Sequence, residues 1–204
     1  MKQIIPFFFL LTAVAFAQND SSYTSHRAEI EAWQAQLNAE YADSAHSPLK
    51  EADRLEFESL DFFPIDSVYR VVAQFKRAKK ARPFEMKTTT DRRPIYEPFG
   101  TATFELHGEK VVLHIYQSHK LRAIPMYKDH LFLPFTDLTN GGESYGGGRF
   151  LDLHIPEGDS IVIDFNKAYN PYCLYNDKYS CPVPPSENHV DLEVKAGVKT
   201  WAKH

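Results

Sequence analysis

Two loops in the carboxy-terminal half of the chain carry most of the residues that could bind a ligand or do chemistry. The first, residues 136–149, has five glycines within eight residues and ends at an arginine that could hold an anion. The second, residues 166–188, is rich in Asn, Tyr and Pro, which supply hydrogen bonds and aromatic surfaces. Small-molecule sites combine an apolar wall with a few polar groups of this kind. The predicted ligand-binding residues are Asp137, Arg149, Asp164, Asn166, Tyr169 and Asn170.

The two loops are predicted to meet because both join the same predicted β-hairpin. Residues 150–155 and 159–165 alternate apolar and polar side chains, as half-buried strands do. The Pro-Glu-Gly turn between them predicts a left-handed conformation at Gly158 and fixes the register. That register puts Arg149 and Asp164 at the same end of the hairpin, as neighbours at the base of one site.

Other chemistries have weaker support in the sequence. Paired carboxylates suit glycoside hydrolysis, and Asp137, Asp152 and Asp164 all lie in or beside the two loops. A hydrolase using them is the alternative to ligand binding, and a structural or partner-binding domain without chemistry is the third possibility. The His and Cys residues show no H-x-H, HExxH or CxxC spacing, so neither a metal nor a cofactor is predicted. The most compact metal candidate would be His154 with two of these aspartates.

The first 17 residues are predicted to be a signal peptide. Lys2 gives a positive start, an apolar run follows, and Ala15-Phe16-Ala17 is a cleavage site of the A-x-A type. The run is too short to span a membrane, and no cysteine follows the cleavage site to carry a lipid anchor. We therefore predict a periplasmic or secreted protein, with a flexible leader at 18–24 and a single β-rich domain at 25–204.

The charge balance limits the partners. The 204 residues include 23 Lys and Arg against 27 Asp and Glu, which gives a net charge of −4. Such a chain has no basic field to attract nucleic acid or anionic lipid. We therefore expect a small-molecule ligand and no nucleic-acid partner. We also expect no membrane anchor after the signal peptide is cleaved.

Cys173 and Cys181 are the only two cysteines and lie within the second loop. Because an exported chain enters an oxidising compartment, we predict that they form a disulfide. The closed ring would contribute roughly 2.5–3 kcal/mol to stability by the chain-entropy model. A bridged Cys173 could not act as a nucleophile beside His154 and Asp164.

The remaining pattern predicts a mainly β fold, an antiparallel barrel or sandwich with one or two amino-terminal helices packed on it. Ser25 could cap a helix that runs to about Ala42. The apolar face of this helix repeats at helical spacing and consists of Ile30, Trp33, Leu37 and Tyr41.

A second hairpin is predicted further along the chain. His107 and Gly108 suit a two-residue turn between alternating segments. The resulting register puts Phe104 opposite Val111 and places the apolar residues of both strands on one face.

The second loop also carries a family resemblance. The segments DFNKAYNPYC at 164–173 and CPVPPSEN at 181–188 follow LPFTDLTNGGESYGGGRFLDL, and together they resemble the bacterial family called domain of unknown function 1684. The resemblance extends from about His26 to Gly197. It brings no established activity, cofactor or catalytic residue, so it implies a shared fold and nothing about a reaction.

Overall fold

One β-sheet forms the framework of the fold. In residues 12–201, the part of the chain that this computed structural model describes, the sheet has eight strands. They are β1 (Arg70–Arg77), β2 (Phe84–Glu85), β3 (Ile95–Leu106), β4 (Glu109–Ser118), β5 (His130–Asp137), β6 (Arg149–His154), β7 (Ser160–Asp164) and β8 (His189–Val190). The main path of hydrogen-bonded neighbours is β6-β5-β4-β3-β1-β7, with β2 paired to β3 and β8 to β5. The predicted mainly β, antiparallel class is confirmed, and the sheet is curled into a half-barrel.

Helices are few beside this sheet. The α-helices are α1 (Thr12–Ala42), α2 (Glu51–Leu55) and α3 (His119–Arg122). Short 3-10 turns connect the other elements, at Ser67–Tyr69, Pro125–Tyr127, Phe165–Lys167, Tyr172–Leu174 and Ser186–Asn188. None of the helices in residues 12–201 is long and apolar enough to cross a membrane.

The hairpin predicted around His107 and Gly108 is confirmed as β3–β4. Both turn residues have positive φ, 52° at His107 and 83° at Gly108, as a two-residue turn between twisted strands requires. Phe104 faces Val111 in the observed register, as predicted. The local sequence of the turn therefore determined both the pairing and the buried face.

The hairpin predicted over residues 150–165 is wrong. Strand β6 pairs with β5 and strand β7 pairs with β1, so these two strands form the opposite edges of the sheet path. Residues 155–159 link the two edges, and Gly158 lies outside the left-handed region. A link of this length spans at most about 20 Å, so the edges must approach each other.

The hairpin was wrongly predicted because it was inferred from the alternation of apolar and polar residues in the two strands. Both strands bury one face, with Leu151 and Leu153 on β6 and Ile161 and Ile163 on β7. An alternating pattern determines which face is buried but not which strand lies alongside. On β6, both leucines face leucines of β5 across the ladder.

Both faces of the sheet are covered, although by different parts of the chain. The concave face holds the main apolar core, with Leu113, Leu133 and Ile163 completely buried. On the other face, Phe132 and Phe150 pack with Cys181 of the second loop. The second loop is therefore the outer layer over β5 and β6.

Helix α1 packs on this outer layer. Tyr41 is completely buried, together with Leu174 and Tyr175 of the second loop. The predicted apolar face is thus confirmed, but the predicted start at Ser25 is wrong because the helix begins at Thr12. The signal peptide predicted at 1–17 falls mostly outside the described residues, so it stays a prediction, as do the boundaries of the leader and the domain.

Candidate functional site

Arg149, the residue predicted to hold an anion, is completely buried in the interior. Its Nη2 donates to Asp137 Oδ2 at 2.8 Å and to the carbonyl of Val194 at 2.7 Å. Its Nη1 donates to the carbonyl of Ala196. Burial lowers the pKa of Arg149, and the charge of Asp137 opposes this shift. The guanidinium therefore joins β5 and β6 to the carboxy-terminal segment, and it does not face a cavity.

The glycine-rich loop closes over this buried pair. Asp137 Oδ1 accepts hydrogen bonds from the backbone and hydroxyl of Thr139 and from the backbone of Val194. Gly148 has a φ of 86°, and a Cβ there would lie 2.5 Å from the carbonyl oxygen of Phe135. Gly148 thus allows backbone to approach backbone, and this end of the loop serves the fold.

Asp164 lies apart from Arg149, which corrects the prediction that they are neighbours. At the end of β7, its carboxylate contacts His26 Nε2 of α1 at 2.7 Å. It also accepts the side-chain amide of Asn166 at 2.8 Å. The prediction failed because it relied on pairing between β6 and β7, which does not occur.

The two predicted asparagines also hold chain segments together. Asn166 accepts the backbone N–H of Asp66 at 3.1 Å and donates to its carbonyl at 2.8 Å. Asn170 donates to the carbonyl of Lys199 at 2.8 Å and to the hydroxyl of Tyr175 at 3.1 Å. Both side chains are buried. Of the six predicted residues, Asp164 lines a cleft of about 440 Å³, which also includes Asp152 and His154, and Tyr169 lines a separate cavity of about 650 Å³.

That cavity has a volume of about 650 Å³ and lies between the outer face of the sheet, the second loop and α1. The sheet contributes Tyr96, Phe132, Phe150 and Asp152, while α1 contributes Trp33, Leu37 and Glu40. The second loop contributes Lys167, Tyr169, Tyr172, Tyr179 and Ser180. We call it the tyrosine cavity, since tyrosines form much of its wall.

A hydrogen-bonded carboxylate lies at the wall formed by β5 and β6. Asp152 Oδ1 is 2.8 Å from His130 Nε2, and its Oδ2 accepts the hydroxyl of Tyr169 at 2.9 Å. Burial raises the pKa of Tyr169 well above its usual value, and the charge of Asp152 adds to the shift. The phenol is therefore a permanent donor. Half of the Asp152 side chain stays exposed, so its oxygens can still receive a hydrogen bond from a ligand.

From the sequence, Asp152 was considered only as a catalytic carboxylate of a hydrolase or as a metal ligand. No contact between Asp152 and His130 was predicted. The two residues are 22 positions apart and meet because β5 and β6 pair with His130 opposite His154. A correct prediction that β5 pairs with β6 would therefore have predicted the contact between His130 and Asp152. Among the described residues, no group of three His, Cys, Asp or Glu side chains could hold a metal ion.

Comparison with known proteins places the chain in a family. The model of the family described as "Protein of unknown function (DUF1684)" matches residues 55–199. The chain belongs to the DUF1684 family. Among solved structures it is similar to the uncharacterised protein from gene locus rrnAC0354 of Haloarcula marismortui, determined by solution NMR. The two are 32% identical over 91% of this chain and 100% of that chain, with a TM-score of 0.69. No curated protein matches this chain.

The family match confirms the resemblance but not every part of it. It leaves the bacterial origin implied by that resemblance as a prediction. In this DUF1684 chain, the match includes Asp152, His130 and the second loop, but it begins after α1. The sheet and loop walls of the tyrosine cavity thus belong to the family region, while the α1 wall lies outside it.

The two cysteines of this DUF1684 domain are free thiols, so the structure does not support the predicted disulfide. The backbone N–H of Cys173 donates to Cys181 Sγ at 3.1 Å. A hydrogen bond from Cys181 lowers the pKa of Cys173 to about 6. The same contact, together with burial, raises the pKa of Cys181. Cys181 lines the tyrosine cavity, whereas Cys173 lines a smaller cleft of about 240 Å³.

Proposed function

We propose that this protein is a small-molecule-binding domain and that the tyrosine cavity is its binding site. The observation that carries the proposal is Asp152, a half-exposed carboxylate fixed by His130 and Tyr169 in the wall of a cavity of about 650 Å³. Ligand cavities of roughly 300–1,000 Å³ with apolar walls and a few fixed polar groups are typical of small-molecule sites.

The structure leads us to propose a different position for the binding site from the one predicted from the sequence. The site predicted from the sequence combined both loops, but only the second loop lines the tyrosine cavity. Arg149, which suggested an anionic ligand, is completely buried, and its Nη atoms are bonded to Asp137 and two backbone carbonyls. The proposal therefore keeps a polar small molecule as the ligand and transfers its recognition to Asp152 and the tyrosines.

The hydrolase alternative is less well supported than binding. Of its three carboxylates, Asp137 is completely enclosed with Arg149, and Asp164 is buried against His26 and Asn166. Asp164 does line a cleft of about 440 Å³ together with Asp152, but its side chain is only 9% exposed, whereas that of Asp152 is 50% exposed. The signal peptide predicted at 1–17 supports a further part of the proposal, namely that binding takes place in the periplasm or outside the cell.

The test uses three soluble probes of similar size. They are 3,3-dimethylbutan-1-ol, which is neutral, and choline and 3,3-dimethylbutanoate, which carry opposite charges. Each is titrated into the full chain labelled with ¹⁵N and followed by NMR. We expect at least one probe to shift the amide signals of Asp152 and Tyr169 in a saturable way.

Two variants locate the binding. Leu121→Trp adds bulk to a half-buried residue of the cavity wall and should abolish the shifts. The control Val72→Trp places the same side chain at an exposed position on β1, outside the cavity, and should leave them unchanged. The proposal is wrong if none of the probes binds, or if Leu121→Trp binds them as well as the control does.

A further inference from the structure

The tyrosine cavity presents more negative than positive charge to a ligand. Its charged lining consists of Glu40, Asp152 and Lys167. Lys167 already donates to Glu29 on α1 at 2.5 Å, and this hydrogen bond lowers the pKa of Glu29. Within residues 24–201, no Lys or Arg side chain forms a salt bridge with Glu40 or Asp152. Two carboxylates therefore face the cavity, and the basic side chains of its wall are Lys167, which pairs with Glu29, and His130, whose Nε2 lies 2.8 Å from Asp152 Oδ1.

Aromatic rings surround these carboxylates. Tyr172 and Tyr179 lie edge to face, with their ring centroids 5.3 Å apart. Phe150 and Tyr169 adopt a similar arrangement at 6.0 Å. The electron-rich face of an aromatic ring attracts cations. The Lys178 ammonium already lies 4.9 Å from the centre of the Tyr179 ring.

The negative charges of Glu40 and Asp152 act at the aromatic wall of the cavity. Burial raises the pKa of Tyr172, and the negative charge of Glu40 raises it further, as does that of Asp152. This shift supports the geometry, because it shows the field of both carboxylates at one ring of the wall. An anion entering the cavity would meet that field as repulsion, whereas a cation would be attracted.

We propose that the tyrosine cavity selects an organic cation, namely an ammonium group on an apolar body. The charged group would lie beside the free oxygen surface of Asp152 and against the faces of the tyrosine rings. The apolar body would contact Trp33, Leu37 and Phe132. This inference rests on the proposed function and adds the chemical class of the ligand to it.

The three probes test this selection directly because they share one branched head group. Choline and 3,3-dimethylbutan-1-ol have nearly the same shape and differ in charge, whereas 3,3-dimethylbutanoate carries the opposite charge. We expect choline to bind about tenfold more tightly than the alcohol, as attraction to several ring faces and a carboxylate implies. The carboxylate probe should bind most weakly.

Single substitutions separate charge from shape. Asp152→Asn should reduce choline affinity about tenfold and reduce the affinity for the alcohol less, because the amide keeps the size of the side chain and one acceptor oxygen but removes the charge. Glu40→Gln on exposed α1 tests the second carboxylate without touching the sheet, and should act in the same direction. The control Glu109→Gln removes the same charge from an exposed position outside the cavity and should have no effect.

The outcomes distinguish the two proposals. Equal affinities for choline and the alcohol, both abolished by Leu121→Trp, would overturn cation selection and leave the binding function intact. The same conclusion follows if Asp152→Asn and Glu40→Gln weaken choline no more than Glu109→Gln does. If none of the probes binds in the cavity, the binding function itself is contradicted.

Discussion

Asp137 and Asp152 lie on neighbouring strands, yet their surroundings are opposite. Asp137 on β5 accepts four hydrogen bonds from the described residues and is only 3% exposed. Asp152 on β6 is hydrogen-bonded to two side chains, lines the tyrosine cavity and has a half-exposed side chain. One carboxylate has no capacity left for a ligand, whereas the other is held in position and keeps some.

This difference separates two uses of polar loops. Around Arg149, both Nη atoms donate to Asp137 or to backbone carbonyls, the Nε is buried without a hydrogen-bond partner, and Gly148 lets the backbone approach Phe135 closely. Around the tyrosine cavity, the second loop contacts the sheet through Tyr169 and Cys181 but leaves a space of about 650 Å³ beside them. Residue type alone suggested a site in both places, and the contrast between the buried Arg149 and the half-exposed carboxylate of Asp152 is our reason for proposing only the second.

The largest expected effect comes from breaking the buried pair. Arg149→Ala would leave Asp137 as an uncompensated charge in the interior, and should lower the free energy of unfolding by about 3–5 kcal/mol. Urea denaturation followed by circular dichroism would measure the loss. The double variant Asp137→Ala/Arg149→Ala should lose less than the sum of the single variants, since removing both charges leaves neither one stranded.

Lys167→Ala is the matched change on the side of the cavity. Lys167 is a third exposed and pairs with Glu29, which is more than half exposed. Its loss should therefore cost less than about 1 kcal/mol. If Arg149→Ala were as mild as Lys167→Ala, the two regions would not differ as described.

A smaller effect is expected at the close backbone contact of the closed region. Gly148→Ala must accommodate a Cβ in the left-handed conformation, 2.5 Å from the carbonyl oxygen of Phe135. We expect a loss of about 2–4 kcal/mol, from backbone strain and overpacking together.

Gly141→Ala is its control, because Gly141 has a φ of 83° but no atom within 4 Å of the added Cβ. It should show only the strain, about 1–2 kcal/mol. Equal losses at Gly141 and Gly148, measured by urea denaturation, would show that close approach does not explain the glycine-rich sequence.

The cysteine pair provides a test at the edge of the open region. Since the hydrogen bond from Cys181 lowers the pKa of Cys173 to about 6, alkylation of Cys173 by iodoacetamide should have its pH midpoint near that value. For an ordinary thiol, the midpoint of alkylation would lie at a pH of about 8.5. Mass spectrometry of the modified peptides at a series of pH values would give both profiles.

The variant Cys181→Ala serves as the control for that profile. Without the hydrogen bond, the Cys173 midpoint should move upward towards the ordinary value. A disulfide in unreduced full-length protein, as the sequence predicted, would instead protect both cysteines until a reductant is added. That result would contradict the free thiols of the structure.

The sequence allowed prediction where local chemistry decides the structure. His107 and Gly108 both adopt positive φ, so the turn itself specified the β3–β4 pairing. The composition of the second loop likewise led us to predict a ligand-binding role, and its Tyr169 lines the tyrosine cavity, although the role itself stays a prediction. In both cases the informative residues lie next to one another in the chain.

Prediction failed where distant segments decide. The alternation in β6 and β7 reported their buried faces correctly, but their partners are β5 and β1. Because the pairing of β5 with β6 was not predicted, the contact between His130 and Asp152 could not be found either. The glycines before Arg149 indicated close approach, but composition could not show that the approaching group is the protein's own backbone.

The smallest effect is expected for Gly158→Ala, which tests whether residues 150–165 form the predicted hairpin. If residues 150–165 formed a hairpin with a left-handed Gly158, then Gly158→Ala would cost on the order of 1 kcal/mol. In the structure Gly158 lies outside the left-handed region, and an added Cβ would meet no atom within 4 Å. Alanine there should reduce only the entropy of the unfolded chain, so we expect a change between zero and a gain of about 1 kcal/mol.

The matched variant Gly108→Ala lies at the turn that does form, with a φ of 83° and equally open space around it. It should lose about 1–2 kcal/mol, because the left-handed conformation strains any residue that has a Cβ. Thermal melts of the two variants therefore compare a real hairpin turn with a link between two sheet edges. A loss at Gly158 equal to that at Gly108 would favour the hairpin. It would then place Arg149 and Asp164 at one end of it and bring the open and closed regions together into one site.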